Sequence, residues 1–321
     1  MKKKENTLEG IIINGYKLIK QIGSNKYSFV YTAIPPNNGE MRCVKLVHRK
    51  KGDNETTAQL FKTEANALTI LNHPSIVNVI DYFTNDFFYV TVTEYYKDGS
   101  LQDMLQQRQY LSNEEAQQLT FSLALGLQYC HIRNFAHRNL KPSNIVFHDY
   151  HPAIVDFSIA VIEEGPHSKL SSLPYIAPEI LNCEEVDDKA ADIWSFGVIL
   201  YEVLSGKLPW SATNYEYLLS QIKRGYYTFT PKVNPHARDL ISKMMDMSPL
   251  HRISSHEIIA HPWLSKVRTS SLRSSKGKNC LTRSLVDFQM KLSQPSSPQS
   301  PLNNSSTFSR TQPMAKSDEN V

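Results

Sequence analysis

The chain has 321 residues, of which 40% are hydrophobic and 21% are charged, so it can bury a sizeable core in one large or two modest domains. The formal net charge of +4 is too small to predict nucleic-acid binding, which needs a focused basic surface. The four cysteines lie far apart and form no Cys-x-x-Cys pair, so the sequence predicts neither a disulfide framework nor a zinc site.

Segments that would direct the chain into or across a membrane are not evident. The longest strongly apolar stretch, Ile193 to Leu204, is shorter than the ~20 residues that a membrane-spanning helix needs. The N-terminal sequence Met-Lys-Lys-Lys-Glu lacks the apolar run of a secretory signal. We therefore expect a cytoplasmic or nuclear protein without a membrane span.

The first folded part of the chain has the pattern of a small β-rich lobe. Short β-rich runs between residues 16 and 47 are separated by turn signals at 23–25 and 35–39, and the second is typical of a hairpin loop. Apolar periodicity then predicts a helix over about 55–72, and more strand follows over 79–93.

The pattern becomes helical after Gly99. Ser112 and Glu115 have the spacing of a capping box in front of an amphipathic helix. A second helix is predicted over about 188–204, with Gly206 as its C-terminal stop. A small, mostly β lobe followed by a larger α lobe predicts an α+β fold with two lobes.

Composition divides the chain into three parts. Residues 1–15 form an N-terminal extension, and residues 16–264 form the folded domain, with an N-lobe over 16–94 and a C-lobe over 97–264. The Ser-, Pro- and Asn-rich sequence after that cannot bury enough apolar surface to offset chain entropy, so we predict a disordered tail over 265–321.

Several short motifs follow one another in an informative order. Gly23 lies between two β runs, Lys45 ends the next β run, and Glu64 lies in the predicted helix. Much later come the loop His-Arg-Asn-Leu-Lys-Pro-Ser-Asn at 137–144, then Asp-Phe-Ser at 156–158 and Ala-Pro-Glu at 177–179. Each motif alone is weak, and the information lies in their order and spacing.

In this order the chain resembles the eukaryotic protein kinase family, with degenerate active-site motifs. Further matches are Asp-Ile-Trp-Ser-Phe-Gly at 192–197 and Arg252 followed by His-Pro-Trp at 261–263. The resemblance is greatest to the Ser/Thr-type calmodulin-dependent and AMP-activated kinase group. It implies the bilobal protein kinase fold, with ATP and Mg²⁺ as cofactors and a protein as substrate or signalling partner.

The resemblance also implies a role for each polar motif residue. Lys45 would contact the α- and β-phosphates while paired with Glu64. Asp156 and Asn144 would hold magnesium, for which hard oxygen ligands are suited, and Lys141 would neutralise the transferred phosphoryl group. Glu179 and Arg252 resemble the buried ion pair of the family.

An adenine pocket is implied as well, between strands of the N-lobe and the start of the C-lobe. Cys43 stands where the family usually has alanine, and we interpret it as a packing residue. The nucleotide-binding residues, in addition to Lys45 and Asp156, are predicted to be Ile22, Gly23, Val30, Cys43, Thr93, Glu94, Tyr96 and Val146.

Three departures from the family pattern bear on activity. Asn139 occupies the position of the catalytic aspartate, and an amide cannot accept the proton of a substrate hydroxyl at neutral pH. In the phosphate flap, residues 23–30, Asn25 and Ser28 replace glycines that allow close backbone approach. Ser158 replaces the glycine after Asp-Phe, which stiffens that hinge.

Two hypotheses follow for function. The first is a pseudokinase that binds ATP and magnesium and acts as a signalling scaffold or allosteric partner, because these three departures replace four residues of one predicted site. The alternative is a slow but genuine Ser/Thr kinase, because the phosphate- and metal-binding groups are retained. Ser100 and Ser143 replace two carboxylates that the group often uses to recognise basic substrates, so an arginine-directed preference is not predicted.

Regulation is expected in the segment before the Ala-Pro-Glu motif. Ser168 and Ser171 are candidate phosphosites, Arg138 is a candidate partner for a phosphate, and Ser172 is interpreted as packing beside the catalytic loop. The basic stretch at 268–283 lacks an apolar stripe of helical period, which gives only weak support for calmodulin binding. The sequence does not predict an oligomeric state.

Overall fold

The computed structural model describes residues 8–24, 28–50, 55–149, 151–157, 170–182, 185–212 and 214–274, without the side chains of residues 64, 170, 171 and 270–274. These residues form the predicted α+β fold, with a β-rich N-lobe and a helical C-lobe. Among the helices of these ranges, none combines the length and the apolar character that crossing a bilayer requires.

The N-lobe is built on an antiparallel sheet with the strand order β1-β2-β3-β4-β6-β5. The extended pattern predicted for residues 16–47 is confirmed by three of its strands, and the predicted hairpin loop at 35–39 joins two of them. The strands are β1 (Ile12–Ile13), β2 (Tyr16–Ser24), β3 (Ser28–Ile34), β4 (Arg42–His48), β5 (Val79–Thr84) and β6 (Phe88–Glu94).

The sheet is strongly curled, so that strands from opposite ends of the strand order touch. The hydroxyl of Tyr16 on β2 donates to Asp81 Oδ2 on β5 at 3.1 Å, and the Tyr16 ring stacks on Phe83 with centroids 6.3 Å apart. Inside the curl lies a separate apolar cluster that includes Leu18 and Tyr31. This small core holds β2 and β3, and therefore both strands that lead into the phosphate flap.

The predicted N-terminal extension, residues 1–15, differs from the structure where it is described. Ile12 and Ile13 pair with Lys17 and Tyr16, which adds β1 to the sheet through a two-residue Asn-Gly turn. Asn14 and Gly15 both have positive φ, at 46° and 84°, as a type I′ turn requires. A Cβ on Gly15 would also lie 2.6 Å from Pro36 Cγ, so this position requires glycine twice over.

A single long helix packs on the N-lobe sheet. Helix α1 (Glu55–Thr69) begins where the sequence predicts and ends three residues before the predicted end at Asn72. The chain then turns at His73, whose Nδ1 accepts from Ser75 N at 3.0 Å. Pro74 disfavours helical backbone at His73, so the helix could not continue through this turn.

The C-lobe is mainly helical, and the capping box predicted at Ser112 and Glu115 is confirmed at the start of its longest helix. The predicted stop at Gly206 is also confirmed, with φ 73°. The elements are α2 (Leu101–Arg108), α3 (Asn113–Ile132), β7 (Ile145–His148), β8 (His151–Ile154), α4 (Pro178–Leu181), α5 (Asp188–Ser205), α6 (Tyr215–Arg224), α7 (Pro235–Met244), α8 (Ser255–Ala260) and α9 (Ser265–Ser274).

Helix α9 begins inside the segment that the sequence predicts to be disordered, residues 265–321. Val267 packs against the main hydrophobic core, and Arg268 Nη1 donates to the carbonyl oxygens of Ile259 and Ala260 at 3.3 and 3.0 Å. The predicted boundary at residue 265 was wrong because α9 has a polar composition. The contacts of α9 with the end of α8 hold it in a helical conformation. The rest of the predicted tail, residues 275–321, lies outside the described residues.

Candidate active site

A cleft of about 580 Å³ lies between the N-lobe sheet and the C-lobe. All ten residues predicted to bind the nucleotide line this cleft, and so does Asn144 from the predicted metal site. The strand register brings its walls together, because Val30 is paired with Lys45 and Cys43 with Thr93 on neighbouring strands. The lining residues predicted from sequence are Ile22, Gly23, Val30, Cys43, Lys45, Thr93, Glu94, Tyr96, Val146 and Asp156.

Two ionisable side chains that line the cleft are held in their neutral forms. Burial raises the pKa of the Cys43 thiol to about 11, so the thiol stays protonated at neutral pH. Burial, aided by the carboxylate of Glu94, raises the pKa of Tyr96 to about 12. A neutral thiol lining an apolar wall is consistent with interpreting Cys43 as a packing residue rather than a nucleophile.

The cleft also has apolar lining residues that were not predicted from sequence. They are Val47, Val79 and Phe157, with Leu68 of α1 and Val77. These residues come from strands, a helix and a loop that are far apart in the sequence. In the sequence these residues are distinguished only by being apolar, and apolar residues are equally typical of any buried position.

Lys45 and Asp156 meet in the cleft, although 111 residues separate them in the sequence. Lys45 Nζ donates to Asp156 Oδ1, and the two side chains are only 24% and 27% exposed. The predicted partner of Lys45, Glu64, lies in α1, but its side chain is outside the described residues, so that ion pair stays a prediction. Asp156 has φ 65°, which turns its backbone sharply at the point where the carboxylate faces Lys45.

The loop over 137–144, which the resemblance predicts to be the catalytic loop, is held in place by a buried carboxylate. Asp192 of α5, 1% exposed, accepts from the backbone N–H groups of His137 and Arg138 at 2.7 and 2.8 Å. Its Oδ2 also lies 3.0 Å from His131 Nε2 on α3. On the other side of the loop, His137 Nε2 lies 2.8 Å from the carbonyl oxygen of Val155, next to Asp156. Sequence analysis matched Asp192 to the family but assigned it no role.

Asn139 lies at one end of a short hydrogen-bonded chain whose central residue is Ser172. The hydroxyl of Ser172 donates to Asn139 Oδ1 at 3.2 Å, and Lys141 Nζ donates to the Ser172 hydroxyl at 3.1 Å. Ser172 is buried against the loop and joins two residues that are 33 and 31 positions away from it. The amide oxygen that stands in place of a catalytic carboxylate is therefore already held by a neighbouring hydroxyl.

Asn144 is oriented by the same loop. Its Nδ2 donates to the backbone carbonyl of Asn139 at 2.8 Å, which leaves the amide oxygen as the end that can act as a ligand. Asn144 and Asp156 then supply two hard oxygen donors in one cleft. This set fits magnesium, which proteins usually bind through one or two such side chains together with phosphate oxygens and water.

The ion pair predicted between Glu179 and Arg252 is confirmed deep in the C-lobe. Arg252 donates to both carboxylate oxygens of Glu179, at 2.7 and 3.1 Å, and both side chains are only 1% exposed. Arg252 also donates to the carbonyls of Ala190 and Asp246. It lies outside the cleft, so its role is to hold α4 against α5 and the loop before α8.

The predicted regulatory residues are only partly described. Arg138 Nε donates to Asp188 Oδ2 at 2.8 Å in a half-exposed pair at the start of α5. Ser168, Asn25 and Ser158 lie outside the described residues, as does the side chain of Ser171. The predictions made for these four positions therefore stay predictions.

Ser28, which was predicted to obstruct the phosphate flap, is the first residue of β3. It is 5% exposed and is paired with Val47 of β4. Its backbone belongs to the sheet rather than to the tip of the flap. Any obstruction by Ser28 would therefore act at the base of the flap.

Comparison with known proteins gives consistent matches to one family. A sequence profile described as "Protein kinase domain" matches residues 16–264. The chain is 29% identical over 276 residues to the serine/threonine-protein kinase cds1 of Schizosaccharomyces pombe, covering 80% of this chain and 60% of that protein. It is 34% identical over 265 residues to the SNF1-related protein kinase catalytic subunit alpha KIN12 of Arabidopsis thaliana, covering 81% and 53%. The chain thus spans between half and two thirds of these relatives.

A solved structure matches in three dimensions as well. The crystal structure of Rad53 1-466 in complex with AMP-PNP superimposes with a TM-score of 0.69 and 26% sequence identity. The match covers 78% of this chain and 65% of that one. The curled sheet, the helical lobe and the cleft between them therefore share one architecture with that structure.

Proposed function

The chain belongs to the protein kinase family, and from this premise we propose that it binds ATP with magnesium while Asn139 impairs phosphotransfer to protein hydroxyls. Its main role in this proposal is that of a signalling scaffold or allosteric partner. The observation that carries the proposal is a cleft that holds Lys45, Asp156 and Asn144 beside a catalytic loop with an amide, Asn139, at the base position.

Nucleotide binding is supported by the size and lining of the cleft. A volume of about 580 Å³ lies within the usual range for small-molecule sites. The lining combines apolar walls with a lysine and two oxygen donors at one end, as a nucleotide requires. The Rad53 structure, which holds the ATP analogue AMP-PNP, supports the same assignment by similarity.

Asp156 and Asn144 are the residues that would hold magnesium, and Lys45 would contact the phosphates beside them. Bound magnesium supplies charge neutralisation at the phosphate oxygens. The contact between Lys45 and Asp156 keeps one positive and one negative side chain poised at the same place. A phosphate can then take up the ammonium group while the carboxylate is released for other contacts.

Slow transfer follows from the chemistry of Asn139. An amide oxygen can accept a hydrogen bond from a substrate hydroxyl but cannot take its proton at neutral pH. General-base catalysis is worth about 10²–10⁴-fold in rate. The Ser172 hydroxyl already occupies one acceptor position on Asn139 Oδ1, which further weakens its ability to orient a substrate.

The proposal is tested by thermal and chemical unfolding of the full chain with ATP, with and without magnesium. Ligand at a hundredfold excess over its dissociation constant should raise the free energy of unfolding by about 2.7 kcal/mol. Asp156→Asn should remove the magnesium dependence, while Asp86→Asn, an exposed carboxylate in the β5–β6 turn, should retain it. No stabilisation at millimolar ATP would overturn the proposal.

A slow but genuine Ser/Thr kinase is the second candidate, and one observation favours it. Lys141 Nζ lies within 3.1 Å of the Ser172 hydroxyl beside the base position, so the group that would neutralise the transferred phosphoryl is in place. Both relatives compared above are named as protein kinases. Sustained phosphorylation of a generic Ser/Thr peptide, abolished by Asp156→Asn, would select this candidate.

A further inference from the structure

The segment before the first long strand is bound along the open edge of the N-lobe sheet. Beyond the β1–β2 pairs, Gly10 N donates to Leu18 O at 2.8 Å and Leu18 N donates to Ile11 O at 2.9 Å. The Asn-Gly turn at 14–15 reverses the chain so that residues 8–13 lie beside β2. We call these residues the N-terminal segment.

The N-terminal segment also reaches both strands of the phosphate flap through a series of hydrogen bonds. The backbone N–H of Leu8 donates to the Tyr31 hydroxyl at 3.1 Å, and that hydroxyl donates to Gln21 Oε1 at 2.8 Å. The backbone N–H of Gln21 in turn donates to Glu9 Oε1 at 3.1 Å. Two residues of the segment are therefore connected to one residue on β2 and one on β3.

These contacts lie at the root of the flap. Gln21 and Tyr31 are paired across β2 and β3, and the next positions toward the flap, Gly23 and Val30, are also paired and line the nucleotide cleft. The register shifts between Gln21 and Gly23, which marks a bulge. A bulge weakens the ladder locally and changes the direction of the strand, so contacts from a third segment have the greatest influence here.

We infer that the N-terminal segment is a positioning element for the phosphate flap, and that Glu9, Gln21 and Tyr31 set the affinity of the cleft for the phosphates of ATP. This inference rests on the proposed function, since it assumes that the cleft binds ATP. The flap lacks two glycines at which backbone amides approach phosphate closely, and external bracing at its root limits the cost of holding it over the ligand.

The inference predicts a difference between two ligands. Adenosine occupies the adenine side of the cleft but has no phosphates, so its binding should not depend on the flap root. Loss of one hydrogen bond in this series should weaken ATP binding about two- to tenfold, the range expected for a single net hydrogen bond. The ratio of the two dissociation constants therefore reports on flap positioning and is insensitive to general destabilisation.

Three substitutions on the full chain test this. Tyr31→Phe removes the hydroxyl that joins Leu8 to Gln21 but keeps the buried ring. Glu9→Ala removes an exposed acceptor with no effect on the core, and Glu9→Gln keeps an oxygen acceptor at the same position. Glu40→Ala is the matched control, because Glu40 is 90% exposed in the next hairpin and pairs only weakly with Arg42 at 3.4 Å.

The measurement is calorimetric titration of each variant with magnesium-ATP and with adenosine. We expect Tyr31→Phe and Glu9→Ala to weaken ATP but not adenosine, Glu9→Gln to restore ATP binding, and Glu40→Ala to leave both unchanged. Unchanged ATP binding in the first two variants, or equal weakening of both ligands, would overturn the inference alone. If the wild-type chain bound no ATP, the proposed function would fail and this inference would fail with it.

Discussion

The cleft and the ion pair buried deep in the C-lobe differ in how their charges are held. In the cleft, Lys45 and Asp156 form a pair that is about one quarter exposed, whereas Glu179 and Arg252 are 1% exposed. The cleft pair can exchange partners with a ligand, and the buried pair cannot separate without leaving charge in an apolar interior. Of the departures that the structure describes, Ser28 lies at the base of the flap and Asn139 in the loop over 137–144, whereas both members of the buried pair match the family pattern.

The residues that hold the backbone of the loop over 137–144 are therefore different from the residue at position 139 that would act on a substrate. Asp192 holds the backbone of His137 and Arg138, so the loop keeps its shape whatever side chain follows at position 139. An amide replaces a carboxylate there with almost no change in volume. We therefore expect an exchange of amide and carboxylate at this position to alter the rate of phosphotransfer and to leave the architecture intact.

The largest effect is expected from restoring the carboxylate in Asn139→Asp. Phosphotransfer to a peptide should rise by about 10²–10⁴-fold, because a base becomes available for the substrate hydroxyl. The free energy of unfolding and the ATP affinity should change little, since the loop backbone is held by Asp192. The measurement is a radiometric peptide assay with urea unfolding in parallel. If activity does not rise while ATP still binds, the flap or Ser158 limits the rate instead.

Breaking the buried pair should have a comparable effect on stability. Arg252→Ala leaves Glu179 charged and buried, and we expect the free energy of unfolding to fall by about 3–5 kcal/mol in urea titrations. The control, Lys243→Ala, breaks an exposed pair with Asp239 and should cost less than about 1 kcal/mol. Equal losses for the two variants would contradict the contrast between buried and exposed charge.

The free energy of unfolding should also depend on pH through the buried side chain of His73. Burial lowers the pKa of His73 to about 4, with the Arg133 charge adding to the effect. Because the folded chain binds this proton less readily than the unfolded chain, the stabilisation is complete above pH 6.5 and is lost as the pH falls toward 4. The expected loss is about 3 kcal/mol, because lowering the pKa of His73 from 6.5 to about 4 makes protonation of the folded chain that much less favourable.

Unfolding in urea at pH 7, 6 and 5 measures this dependence. His73→Gln should flatten it over that range, while His236→Gln, at an exposed position of α7, should not. An identical slope in the wild-type chain and His73→Gln would assign the pH response to another group.

The smallest effect is expected from removing the Ser172 hydroxyl, which lies between Lys141 and Asn139. In the Asn139→Asp background, Ser172→Ala should lower phosphotransfer about tenfold, because the carboxylate loses the hydrogen bond that orients it. Ser172→Thr keeps a hydroxyl and should stay close to the serine form. The same peptide assay measures both, and an unchanged rate in Ser172→Ala would show that Ser172 is only a packing residue.

Much of the fold could be predicted from sequence because its signals are local. The β-rich runs and turn signals over residues 16–47, the capping box at Ser112 and the glycine stop at 206 each depend on neighbours within a few positions. All ten residues that the resemblance predicts to bind the nucleotide line one cleft. The boundary at 265 was wrong because a short polar helix takes its order from the surface on which it packs.

The amino-acid sequence by itself determined the family, the two lobes and the amide at position 139, since all three depend on residue identity and order along the chain. Only the tertiary structure decided that Asp156 contacts Lys45, that Ser172 joins Asn139 to Lys141, and that residues 8–13 brace the flap. The physical reason is that such hydrogen bonds form between side chains brought together by packing of distant segments. No local propensity encodes which donor will meet which acceptor.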